Sequence, residues 1–65
     1  MKFNEYDTVM IRRNYNEQVK KGDIGAVIMV FNNPSEAYEV EFLDENGFTK
    51  AQVTLLSEDL EKVEG

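Results

Sequence analysis

The sequence predicts an all-β protein: one small, strongly bent five-stranded antiparallel barrel, with a long loop after the first strand and a short helical turn near the C-terminus. Three observations predict it. Short runs with apolar residues at alternate positions recur along the chain. An Asn-Gly dipeptide divides two of them. The intervals between runs are polar and rich in Asn, Gly and the single Pro.

The first strand is read at Thr8 to Arg12, with Val9 and Ile11 on one side and Thr8, Met10 and Arg12 on the other. Phe3 and Tyr6 lead into it. The polar stretch NYNEQVKKGD, Asn14 to Asp23, follows as a long loop, with Val19 as its expected anchor on the core and Tyr15 exposed or partly packed.

IGAVIMVF, Ile24 to Phe31, is a strand by its length and its β-branched content. Strict alternation sets Ile24, Ala26, Ile28 and Val30 on one face and Val27, Met29 and Phe31 on the other. Neither face is polar. Either this strand is central and covered on both sides, or one side meets another molecule; a second copy of the chain could supply that cover.

After the turn NNPSEA comes YEVEFLDENGFTKAQVTL, Tyr38 to Leu55. Asn46-Gly47 is the dipeptide most favoured for a two-residue type I′ hairpin turn. Placing it there pairs Tyr38 with Leu55, Val40 with Val53 and Phe42 with Ala51 on one face. Glu39–Thr54, Glu41–Gln52 and Leu43–Lys50 then share the other, and a one-residue slip would destroy this sorting. In the tail, LSEDLEKVEG, Ser57 could cap a helical turn through Leu60 and Val63, or a short turn could precede an edge strand. The resulting order of strands is SH3-like.

Sixty-five residues make a single domain, 1–65, and a chain of this size buries only about 60% of the surface its unfolded form exposes. Cys and His are both absent, which removes the usual zinc ligands, a thiol nucleophile and the usual neutral-pH acid–base residue. No cofactor and no metal are expected. No run approaches the ~20 apolar residues of a membrane span, and the polar start MKFNEYD is not a signal peptide, so a cytoplasmic protein is expected.

The formal charge is −6 and it is segregated. Residues 1–35 hold five Lys/Arg against four Asp/Glu, a net of +1, whereas residues 36–65 hold two against nine, a net of −7. Phosphate binding relies on a clustered positive surface, so the whole-chain field opposes nucleic acid. Gly22-Asp23-Ile24-Gly25 beside Lys20 and Lys21 has the form of a phosphate-gripping loop. Such loops need a helix after the glycines, and here a strand follows. The glycines are expected instead to admit a turn and a bulge through positive φ.

The segment Gly22-Asp23-Ile24-Gly25-Ala26-Val27 resembles the strand entry of KOW-type SH3-like barrels. More closely, YDTV, KKGDIGAVI, YEVEFLDENG and the following TL resemble a family of small, stand-alone, uncharacterised bacterial proteins, over Phe3 to about Val63. Members of that family are often encoded beside toxins. The resemblance therefore implies an immunity or antitoxin role, and the KOW likeness implies, as the alternative, an accessory domain contacting RNA or a ribonucleoprotein.

Two sets of residues could carry these roles. Glu39, Glu41, Asp44 and Glu45 form an acidic hairpin face suited to a basic protein partner, such as a toxin. Arg12, Arg13, Lys20 and Lys21 form the alternative patch for nucleic acid, although only Tyr15 is near enough to stack on a base. The bland reading of the acidic face is a solvated surface that discourages edge aggregation. Catalysis is not expected, because acid–base work needs one carboxylate protected enough to hold a raised pKa. These carboxylates sit on an exposed hairpin, in a chain with little room for a pocket.

Overall fold

The alternation of Val9 and Ile11 builds the first strand, β1 (Thr8–Ile11), and both side chains are fully buried. The computed structural model describes residues 2–63. Its other strands are β2 (Ile24–Phe31), β3 (Ala37–Leu43), β4 (Thr49–Leu55) and β5 (Leu60–Lys62), with a 3-10 turn at Ser57–Asp59. All pair antiparallel in one sheet of order β4-β3-β2-β1-β5, which makes β2 the central strand. None of the described residues forms a helix long and apolar enough to cross a membrane.

The sheet curls over one core. Val9, Ile11, Val27, Tyr38, Val40, Phe42, Leu55 and Leu60 fill it, joined by Phe3 from the N-terminal segment and Val19 from the long loop. Tyr38 is buried edge-on to Phe3, with ring centroids 5.2 Å apart. Its hydroxyl is fully used, donating to the Glu36 carboxylate and accepting from the amides of Lys2 and Phe3. A buried phenol needs such partners.

The loop after β1 is long but ordered by its own side chains. Asn16 Oδ1 accepts the amides of Gln18 and Val19, both at 2.8 Å, and Val19 is the buried anchor. β1 ends one residue earlier than the alternation suggests, because the Arg12 amide bonds Asp59 O rather than a strand.

Two irregularities change the reading of the sheet faces. β2 carries a bulge between Val27 and Met29, so the inward residues are Gly25, Val27 and then Val30. Ile24, Ala26, Met29 and Phe31 face outward, which mixes the two sets that strict alternation separates. A bulged strand gains one unpaired residue, and parity inverts beyond it.

The β3–β4 hairpin pairs Tyr38–Leu55, Glu39–Thr54, Val40–Val53, Glu41–Gln52 and Phe42–Ala51 as expected. Its turn is not the two-residue type I′ form. The Gly47 amide bonds Asp44 O, and Gly47 has φ 87° while Asn46 keeps a negative φ. This is a four-residue turn, Asp44 to Gly47, that ends on the left-handed glycine, with Asp44 Oδ1 accepting the amides of Asn46 and Phe48. It slips the register so that Leu43 pairs with Thr49 instead of Lys50, and a bulge at Lys50 restores it by Phe42–Ala51.

The glycines before and inside β2 also divide their roles. Gly22 has φ 95° and sits third in the turn Lys20–Asp23. Gly25 needs no positive φ. A Cβ there would lie 2.7 Å from Glu41 O and 2.9 Å from Phe42 Cδ1, so Gly25 serves close packing of β2 on β3. In the tail, a turn and then a strand form, and Asp59 Oδ2, not Ser57, accepts the capping amide of Leu56 at 3.1 Å.

Candidate functional site

Residues directly opposed in an antiparallel pair share a face. The outer face can therefore be read from the register. On β3 it carries Ala37, Glu39, Glu41 and Leu43, on β4 it carries Thr49, Gln52 and Thr54, and on β2 it carries Ile24, Ala26, Met29 and Phe31. Met10 and Thr8 of β1 continue it. Among the described residues nothing covers the centre of this face: Ile24, Met29 and Leu43 are 48–49% exposed.

Glu39 and Glu41 stand beside that apolar strip and each is held by β4. Thr54 Oγ1 donates to Glu39 Oε1 at 2.7 Å, and Thr49 Oγ1 donates to Glu41 Oε2 at 2.8 Å. Gln52 Nε2 lies 3.5 Å from the same Glu41 oxygen. Asp44 and Glu45 are set apart from this row. Asp44 is occupied in holding its turn, and Glu45 is exposed in the turn itself.

The basic residues divide as well. Arg12 and Lys21 line one groove of about 580 Å³ with Met10, Ile11, Gly22 and Glu61, so a carboxylate shares it. Arg13 turns away to Asp59, with Nε 2.7 Å from Oδ1, and its guanidinium lies 5.7 Å from the Tyr15 ring centre. That hydrogen bond raises the Arg13 pKa and, with the Leu56 amide, holds the Asp59 carboxyl below its usual range. Lys20 stands in the turn, where its amide donates to Asp23 Oδ2.

The turn leaves no amide for a phosphate. Lys20 N–H goes to Asp23 Oδ2, Lys21 N–H to Asn14 Oδ1, Gly22 N–H to Ile11 O and Asp23 N–H to Lys20 O. The Lys20 amide is the main cause of the lowered Asp23 pKa, followed by Lys50, whose Nζ is 3.0 Å away. Among the described residues, no group of three or more Asp, Glu, His or Cys is placed to hold a metal ion.

The register exposes what alternation alone misses. Only the bulge in β2 brings Met29 and Phe31 outward beside Ala26 and Ile24, and only the β4 partners show that two of the four hairpin carboxylates are oriented. A family model described as Domain of unknown function (DUF4926) matches residues 5–62. No curated protein and no solved structure matches the chain.

Proposed function

The chain belongs to the DUF4926 family, and we propose that it is a non-enzymatic binding module for a basic protein partner, which docks on the outer face of β2, β3 and β4. One observation carries this reading. An uncovered apolar strip on the central strand runs beside two carboxylates held in place by threonines. Apolar area supplies affinity, and the carboxylates select and steer a positively charged partner.

The three ion pairs among the described residues engage Asp7, Asp23 and Asp59, so none neutralises Glu39 or Glu41. A second copy of the chain would set those carboxylates against their own kind, which disfavours a homodimer through this face. The resemblance to proteins encoded beside toxins supports an inhibitor of a basic toxin as the specific form of the proposal. Immobilised protein should retain a basic partner at low salt, and Glu39→Lys with Glu41→Lys should release it. Equal retention by that double variant would discard the acidic-face reading. Asp44 is left out of the substitution because it holds the turn.

The second reading, RNA contact, has one observation in its favour: Arg12 and Lys21 share a groove. Glu61 in that groove and the engagement of Arg13 by Asp59 weaken it. A labelled RNA that shifts at low salt, and fails to shift when Arg12 and Lys21 become Ala, would establish it.

A further inference from the structure

We propose that the hollow between Ile24 and Leu43 is the seat for a single arginine or lysine side chain of the partner, with Glu41 as its counter-ion, a site that rests on the protein-binding reading and specifies what that partner presents. The register makes the hollow. Thr8, Ala26, Glu41 and Gln52 lie side by side across β1, β2, β3 and β4. Ala26 is the smallest of them and stands in the middle, so the surface dips there. Ile24 and Leu43 rise beside it.

The depression holds about 210 Å³. Sites for drug-sized molecules run to roughly 300–1,000 Å³, so this one suits a single long side chain rather than a metabolite. Ile24, Ala26 and Leu43 make its walls aliphatic, and beside the Thr8 hydroxyl its one charged group is the carboxylate of Glu41. An arginine or lysine matches both parts, with its methylene stem against Ile24 and Leu43 and its charge on Glu41. An apolar occupant would desolvate the carboxylate without supplying a counter-charge. An acidic one would be repelled.

Glu41 is prepared for that role. Thr49 and Gln52 both engage Oε2, and among the described residues no hydrogen bond uses Oε1. The carboxylate is therefore oriented from the β4 side and presents its second oxygen to an incoming cation. A group already held in place loses less entropy when it binds.

The test uses the full chain and a blocked tripeptide, acetyl-glycyl-arginyl-glycine amide, titrated by NMR against its citrulline counterpart, which keeps the shape and loses the charge. Saturable shifts centred on Ile24, Ala26 and Leu43 are expected, with citrulline about fivefold weaker, as for a partly exposed ion pair. Glu41→Gln should bring the arginine peptide down to the citrulline level. Ala26→Leu should abolish the response while leaving the rest of the amide spectrum in place. Shifts that do not saturate, spread over all acidic residues or ignore the citrulline exchange would overturn the proposal. If a captured basic partner is lost on charge reversal of Glu39 and Glu41 but binds Ala26→Leu normally, the hollow is refuted while the acidic face stands.

Discussion

Arg13 Nε donates to Asp59 Oδ1 at 2.7 Å, joining the start of the long loop to the turn before β5. The same carboxylate accepts the Leu56 amide, so one buried side chain ties two segments that lie 46 residues apart in the Arg13–Asp59 pair. Asp59→Ala removes both acceptors and should lower stability by about 1–2 kcal/mol in urea unfolding. Arg13→Ala removes only the exposed partner and should cost less. Equal losses would mean that the Leu56 cap contributes nothing.

Acid should unfold the protein partly through Asp59 and Asp23. Both have folded pKa values below their unfolded ones, Asp59 chiefly through the Arg13 hydrogen bond and Asp23 chiefly through the Lys20 amide. A depressed carboxylate stabilises fully above its unfolded pKa, near 3.9, and that contribution disappears as pH falls through the folded value. The urea midpoint should therefore hold steady from neutral pH to about 5 and fall below about 4. Asp59→Asn should flatten the acid limb, and an unchanged limb would assign the acid sensitivity to other groups.

Gly25 and Gly22 should respond differently to alanine. A Cβ at Gly25 meets Glu41 O at 2.7 Å, a backbone atom that cannot rotate aside, and Val40 Cγ1 at 2.8 Å. Gly25→Ala should cost about 1–3 kcal/mol through overpacking. At Gly22 the added Cβ enters open space, so only the φ of 95° opposes it, at about 1–2 kcal/mol. Crystal or NMR structures should show β2 displaced from β3 only in the Gly25 variant.

The hairpin turn offers a test of its type. Asn46 keeps a negative φ, so Asn46→Ala should change stability by less than about 0.5 kcal/mol. A type I′ turn would penalise it more heavily. Asp44→Ala loses the acceptor for two amides and should cost about 1–2 kcal/mol. Thermal melts of the two variants should separate clearly.

The sequence alone determined the first four strands to within a residue, the buried role of Val19 and the far end of the hairpin register, because each follows from local period and turn chemistry. The tail stayed open between a helical turn and an edge strand. Five of the expected pairs, Tyr38–Leu55 through Phe42–Ala51, form because any slip would turn Val40 and Phe42 out of the core. Only the tertiary structure decided which face each residue of β2 presents. Its bulge answers to the fit of β2 against β3, and both possible faces of this strand are apolar, so no local pattern marks the change of parity. The turn at Asp44 and the bulge at Lys50 cancel each other, so the distant register is the one a two-residue turn would set although the turn itself has four residues. The candidate site divides in the same way. Glu39 and Glu41 stand out in the sequence as charged residues two apart. Their threonine partners, the withdrawal of Asp44 into the turn and the hollow at Ala26 depend on neighbours from other strands, and cross-strand packing alone brings those together.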